Sequence, residues 1–213
     1  MGDRDNTISI KQIKKEGNAI KKTVVLIVVL LIVFPILALA QENERALSGN
    51  VHGVFGQKQM DKNDWDPTDD HIEFGLLVDF QPKGWPLSIA FEGLKSEDDQ
   101  RVKRRDQSVK LTHETTELAF GVKKYFDTNS GFYPFVGGGL ALIDVDIKVT
   151  VNNISASEND SGFGGWLGGG VIYVIKNFSI GAYLRYSVAD VSFSGSVVEA
   201  GGFHALGMAG VHF

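Results

Sequence analysis

Cysteine does not occur among the 213 residues, so neither disulfides nor a thiol nucleophile can be invoked. Helix-forming stretches are scarce after residue 40, and so is positive charge. The first forty residues hold six of the 21 basic and three of the 26 acidic side chains, leaving 15 positive against 23 negative charges beyond them. A chain that acidic is not a nucleic-acid binder. What is present is glycine, 25 residues, and 43% apolar content, which exclude a disordered or coiled-coil chain and suit one domain.

The N-terminus differs from the rest. Lys11, Lys14, Lys15, Lys21 and Lys22 precede "TVVLIVVLLIVFPILALA", which ends in Ala38-Leu39-Ala40 before the polar "QENER". A basic segment, an apolar core and a small-x-small site describe a cleavable signal peptide over 1–40. The apolar run also approaches the lower length limit of a spanning helix, so an uncleaved anchor is the competing reading. Pro35 and the Ala-x-Ala site favour cleavage after Ala40, leaving a short periplasmic segment, 41–47, ahead of a domain over 48–213.

Eight strand-like segments follow, near 48–58, 71–80, 85–95, 110–126, 132–151, 163–175, 178–190 and 202–213. "QPKG", "DTNSG" and "KN" read as tight hairpin turns. Between them lie long polar stretches, "QMDKNDWDPTDD", "SEDDQRVKRRDQ", "VNNISASENDS" and the region around 191–201. Short turns at one end, long loops at the other and an even number of antiparallel strands predict an all-β fold, an eight-stranded antiparallel transmembrane β-barrel. Both termini then fall at the short-turn end.

Period-2 alternation supports this. Ile72, Phe74, Leu76, Val78 and Phe80 oppose His71, Glu73, Gly75, Leu77 and Asp79; Phe178, Ile180, Ala182, Leu184, Tyr186 and Val188 oppose Ser179, Gly181, Tyr183, Arg185 and Ser187. In a bilayer the apolar set faces lipid and no edge stays unpaired, so the sheet must close. Trp85, Tyr125, Phe126, Phe132, Tyr133, Phe178 and Phe213 lie next to the short turns, as an interfacial aromatic girdle would. In the fifth strand, Ile143, Val145, Ile147 and Val149 oppose Asp144, Asp146, Lys148 and Thr150; extending that parity sends Leu140 and Leu142 inward. In the sixth, a lipid face of Leu167, Val171, Tyr173 and Ile175 sends Ile172 and Val174 inward. A glycine-associated bulge could reverse either parity.

The segments "ELAFGVKKYF", "PFVGGGLAL", "GGGVIYVI" and "FSIGAYLRYS", with the C-terminal Phe213, resemble the small bacterial outer-membrane β-barrel family, the OmpA/OmpX-like class. The resemblance covers most of 48–213 and is specific for architecture. It implies a bacterial outer-membrane location with both termini periplasmic, contact with outer-membrane lipid and lipopolysaccharide, and a monomeric barrel. It also implies that Ala209, Val211 and Phe213 match the C-terminal signal read by the barrel-assembly machinery. Members of the family range from structural barrels and adhesins to lipid-modifying enzymes and narrow channels.

The expected lumen holds Glu73, Asp79, Glu92, Glu117, Lys123, Asp144, Asp146, Arg185 and His204. Charges inside a barrel are expensive unless paired, and the fork of Arg185 suits it as the hub of a network with Glu117, Glu92 or Glu73. His204 with Ser179 or Ser187 could form a Ser/His pair, but no motif surrounds them. The loop "DKNDWDPTDD" with His71 and Glu73 concentrates oxygen ligands yet fails the EF-hand pattern, and Trp65 could rest on headgroups. "RVKRR" could meet lipopolysaccharide phosphates, or be neutralised by the flanking "SEDD".

These residues predict a non-enzymatic barrel presenting surface loops for envelope structure or surface interaction, with no cofactor and no metal. A narrow pore or conduit for small or hydrophobic solutes is the alternative, carried by Leu140, Leu142, Ile172, Val174, Leu206 and Met208 if all point inward. A lipid A-modifying hydrolase is a minor alternative, and a soluble lipocalin-like barrel is the competing fold.

Overall fold

The computed structural model describes residues 47–65, 68–104, 107–151, 154–193 and 196–213. The expected signal peptide, nearly all of the 41–47 segment and the side chains of the "RVKRR" run lie outside them. The elements are β1 (Leu47–Gln59), α1 (Lys62–Trp65), β2 (Asp70–Pro82), β3 (Ser88–Arg104), β4 (Gln107–Tyr125), β5 (Phe132–Val151), β6 (Ile154–Ile175), β7 (Phe178–Phe193), β8 (Ser196–Glu199) and β9 (Gly202–His212).

Eight of the strands form a closed antiparallel ring in the order β6-β5-β4-β3-β2-β1-β9-β7, completed by pairing of β6 with β7. β8 is a short additional strand that folds back on the upper part of β7, from Asp190↔Glu199 to Phe193↔Ser196. The first and last long strands close the ring from Asn50↔His212 to Gln59↔Phe203. Phe213 extends that ladder by one residue, donating its N–H to Gly49 O at 3.0 Å and accepting from Gly49 N at 2.8 Å. Closure leaves no unpaired edge within the ring, which a sheet in hydrocarbon requires.

Outward-facing residues are apolar over a limited height. The band runs through Phe55 on β1, Phe74 on β2, Leu118, Phe120 and Val122 on β4, Leu140 and Leu142 on β5, Phe163, Leu167, Val171, Tyr173 and Ile175 on β6 and Phe178, Ile180, Leu184, Tyr186 and Val188 on β7, all exposed on the outer wall. Beyond it, towards the long hairpins, the outer wall turns polar. The hairpins themselves are longer than the sequence suggests: β3 and β4 pair up to Arg104↔Gln107, and β5 and β6 up to Val151↔Ile154. The polar stretches read as loops, "SEDDQRVKRRDQ" (96–107) and "VNNISASENDS" (151–161), are therefore largely strand. Polar residues face water on the outside of a ladder that has left the bilayer, so their polarity does not end the strand.

The same change of solvent corrects the parity expected for β5. Ile143 and Val145 are fully buried inside the barrel, whereas Leu140 and Leu142 are 54% and 46% exposed on the outer wall. Asp144 and Asp146, expected in the lumen, lie exposed on the outer face. No bulge is involved, since β4 and β5 pair without interruption from Val109↔Val151 to Tyr125↔Phe135. The rule "apolar outward" holds only inside the apolar band; above it, water is outside and the apolar set turns inward. For β6 the expected parity stands, with Ile172 buried and Leu167, Val171, Tyr173 and Ile175 outside.

The aromatic girdle is partly corrected too. Trp85, Phe126, Phe132 and Phe178 are exposed around the short-turn end, but Tyr125 and Tyr133 turn inward and pack on the lumenal core.

Candidate functional site: the sealed lumen and its cap

Inward positions of the eight ring strands place a continuous column of polar side chains down the barrel axis. At the short-turn end, Asn50 Nδ2 donates to Asp79 Oδ1 at 2.9 Å, Tyr125 OH donates to Asp79 Oδ2 at 2.8 Å, and His212 Nδ1 lies 2.9 Å from Asn50 Oδ1. These groups line a vestibule of about 240 Å³.

The central layer is built around Glu92, Glu117 and Arg185. Lys123 Nζ lies 2.8 Å from Glu92 Oε1 and Arg185 Nε 3.0 Å from Glu92 Oε2. Tyr183 OH donates to Glu92 Oε1 at 3.1 Å. Arg185 also pairs with Glu117 Oε1, and its guanidinium sits 5.3 Å from the Trp166 ring centroid. Lys123 Nζ lies 5.5 Å and 5.0 Å from the rings of Phe135 and Tyr183. Every one of these charged side chains is at most 3% exposed. Buried carboxylates at such depth persist because each accepts several charge-assisted bonds.

One further arrangement links Glu73, His204 and Ser187. His204 Nδ1 is 2.7 Å from Glu73 Oε2, His204 Nε2 is 2.9 Å from Ser187 Oγ, and Ser187 Oγ donates to Glu117 Oε2 at 3.1 Å. The order Ser–His–carboxylate is that of a nucleophilic triad. Here none of the three is more than 1% exposed, and Arg185 NH1 lies 3.4 Å from the same His204 Nε2 that a triad would use as its base. The arrangement thus joins Glu73 to the Arg185 network and presents no nucleophile to solvent or lipid.

Above this layer the mouth at the long-hairpin end is covered. Residues 60–65 and 68–69 form a cap that folds inward over it: Met60 and Trp65 are 3% and 6% exposed, and Trp65 Nε1 donates to Glu199 O at 2.6 Å. Trp65 therefore sits inside the mouth and not on headgroups. Its ring stacks on His113 with centroids 4.2 Å apart and an interplanar angle of 20°. His113 meets His71 edge-on, and both approach Thr68 O. Below, His71 Nδ1 is 3.0 Å from Ser96 Oγ, Ser96 is 2.6 Å from Thr115 Oγ1, and Lys58 Nζ donates to Thr115 Oγ1 and to Ala200 O. Both histidines lie beyond the apolar band. Burial, then the neighbouring His71, push His113 down to about 3, and burial followed by Lys58 lowers His71.

Of the residues expected in the lumen, Glu73, Asp79, Glu92, Glu117, Lys123, Arg185 and His204 are inside and joined by these contacts, and Asp144 and Asp146 are not. Lys58, Trp65 and His113 were missed as members of the column, whereas Tyr183 sits on the inward face expected for it. Lys58 was legible, since it shares the alternate positions of β1 with Asn50, His52 and Val54; Trp65 lies in a loop whose fold no periodicity encodes. Among the described residues no group of three or more His, Cys, Asp or Glu side chains gathers as a metal site.

The comparisons with known proteins bear on this architecture. No curated protein sequence matches the chain. Among solved structures, the attachment invasion locus protein Ail of Yersinia pestis, in complex with the heparin analogue sucrose octasulfate, superposes with a TM-score of 0.53 at 15% identity, covering 79% of this chain and 99% of that one. A major outer membrane protein from Thermus thermophilus superposes with a TM-score of 0.52 at 12% identity, covering 79% of this chain and all of the other. At these identities the likeness is one of fold. A family model, outer membrane protein beta-barrel domain, matches residues 26–211, which is most of the sequence. With that match, and with a closed ring wrapped in an apolar band, the chain belongs to the outer-membrane β-barrel family and is a bacterial outer-membrane protein in contact with membrane lipid.

Proposed function

We propose that this barrel is a non-enzymatic membrane anchor whose function lies in the hairpins it holds above the membrane, with a lumen that conducts nothing. The observation that carries this reading is the Glu92–Lys123–Arg185–Glu117 network, which fills the centre of an eight-stranded ring with side chains at most 3% exposed. Eight strands enclose an interior just wide enough for its own side chains, and here the cap that carries Met60 and Trp65 covers it as well. The long ladders of β3–β4 and β5–β6 place polar outer faces of mixed charge beyond the apolar band, suited to contact with other envelope or surface components. In this reading residues 1–40 direct export and are removed, both termini lie on the periplasmic side, and Ala209, Val211 and Phe213 form the signal for barrel assembly. The ladder that ties Phe213 to Gly49 supports that role for the C-terminal strand.

Planar-bilayer recording tests the proposal. The purified, folded chain is expected to give no reproducible channel events between pH 5 and 8. Discrete conductance steps from the unaltered protein would overturn it in favour of a narrow conduit.

A further inference from the structure

The roof of the lumen brings three lone-pair donors to one point. His71 Nε2 and His113 Nδ1 lie 3.2 Å apart, Thr68 O is 3.1 Å from the first and 3.4 Å from the second. The three atoms form a nearly equilateral triangle, each side within hydrogen-bonding reach. A tetrahedral metal with ligands at about 2.0–2.1 Å separates its donors by about 3.3–3.4 Å, so the triangle matches one face of such a tetrahedron. Ser96 Oγ at 3.0 Å from His71 Nδ1 fixes that ring from behind, as a metal-binding histidine requires.

We propose that His71, His113 and the Thr68 carbonyl bind one divalent transition-metal ion of the class that imidazole selects, copper or zinc. Because Thr68 belongs to the cap and the two histidines to β2 and β4, the ion pins the cap to the barrel wall. The charged groups that act on the site are Lys58 from β1, which faces both rings, and Asp98 from β3 and Glu73 from β2, which oppose it at His71. The inference stands apart from the proposed function, since it concerns the roof and not conduction through the lumen.

The test uses the full, untagged chain folded in detergent and carrying Trp85→Phe, which leaves Trp65 and the buried Trp166 as emitters. Added Cu²⁺ is expected to quench Trp65, stacked on His113, saturably at one equivalent; Zn²⁺ is expected to compete without quenching. His71→Gln and His113→Phe should each weaken Cu²⁺ binding at least tenfold, while His212→Gln should not. Because either variant could disturb the cap, the unaltered site is also read by electron paramagnetic resonance, where superhyperfine coupling to two imidazole nitrogens is expected. Quenching that never saturates, affinity unchanged in both roof variants, or a copper spectrum without nitrogen coupling would each overturn the proposal.

Discussion

Arg185→Met is the sharpest probe of how the lumen is held together. The buried charges of the column are Glu73, Asp79, Glu92 and Glu117 against Lys58, Lys123 and Arg185, so the arginine's removal raises the excess of carboxylates from one to two. Glu92 keeps Lys123 at 2.8 Å and the Tyr183 hydroxyl at 3.1 Å, but Glu117 loses its only directly paired guanidinium and retains the Ser187 hydroxyl. Taking one partner from a buried pair costs about 3–5 kcal/mol, because the other charge stays desolvated. The guanidinium's position over Trp166 adds about 0.5–2 kcal/mol. The total is a large share of the about 5–15 kcal/mol that holds a typical domain folded. Adding Glu117→Gln removes the orphaned charge, so the double variant is expected to regain at least about 2 kcal/mol of the loss, a coupling typical of residues in one network. Urea titration of the folded barrel, followed by heat-dependent gel mobility and tryptophan emission, measures both. A loss below about 1 kcal/mol for Arg185→Met, or a double variant no more stable than the single one, would refute the view that pairing within the column stabilises the barrel.

Three further outcomes follow from the geometry. The cap should loosen in acid: above about pH 6.5 both roof histidines are neutral whether it is closed or open, but below that value an uncapped ring gains a proton that His113, held down to about 3, refuses. Through His113, closure therefore loses at most about 1.4 kcal/mol per pH unit as pH falls from about 6.5 towards 3, and acrylamide quenching of Trp65 should rise over that window while the gel mobility of the folded barrel is unchanged. The parity of β5 is tested by Leu140→Lys, which puts a charge on the lipid face and should cost about 1–3 kcal/mol in urea titration, whereas Asp146→Lys, already on the polar outer wall, should change stability by less than about 0.5 kcal/mol. Glycines divide in the same way: a Cβ at Gly56 would strike the Ala205 carbonyl, so Gly56→Ala should cost about 1–3 kcal/mol, while one at Gly53 comes no closer than 3.9 Å to Ala209 O and Gly53→Ala should be nearly neutral.

Alternation with a period of two determined, without any coordinates, that β2 and β7 present one apolar and one largely polar face, and the turns "QPKG", "DTNSG" and "KN" determined the hairpins β2–β3, β4–β5 and β6–β7. Glu73, Asp79, Glu92, Glu117, Lys123, Arg185 and His204 were legible as inward residues because each shares a face with small or polar neighbours inside the apolar band. The hub role of Arg185 was legible for the same reason, as a lone arginine among carboxylates on that face.

Tertiary structure alone decided three things. It decided where the bilayer stops along each strand, and hence that Ile143 and Val145 turn inward while Asp144 and Asp146 turn out: alternation records that two faces differ, but which face is apolar depends on the solvent at that height. It decided that the polar stretches after β3 and β5 continue as paired ladders, since hydrogen bonding across strands is indifferent to side chains that face water on the outer wall. And it decided that Met60, Trp65 and Thr68 fold into the mouth, bringing Trp65, His71 and His113 together from three separate segments. Contacts between residues that distant in sequence depend on ring closure and register, and no local pattern encodes either.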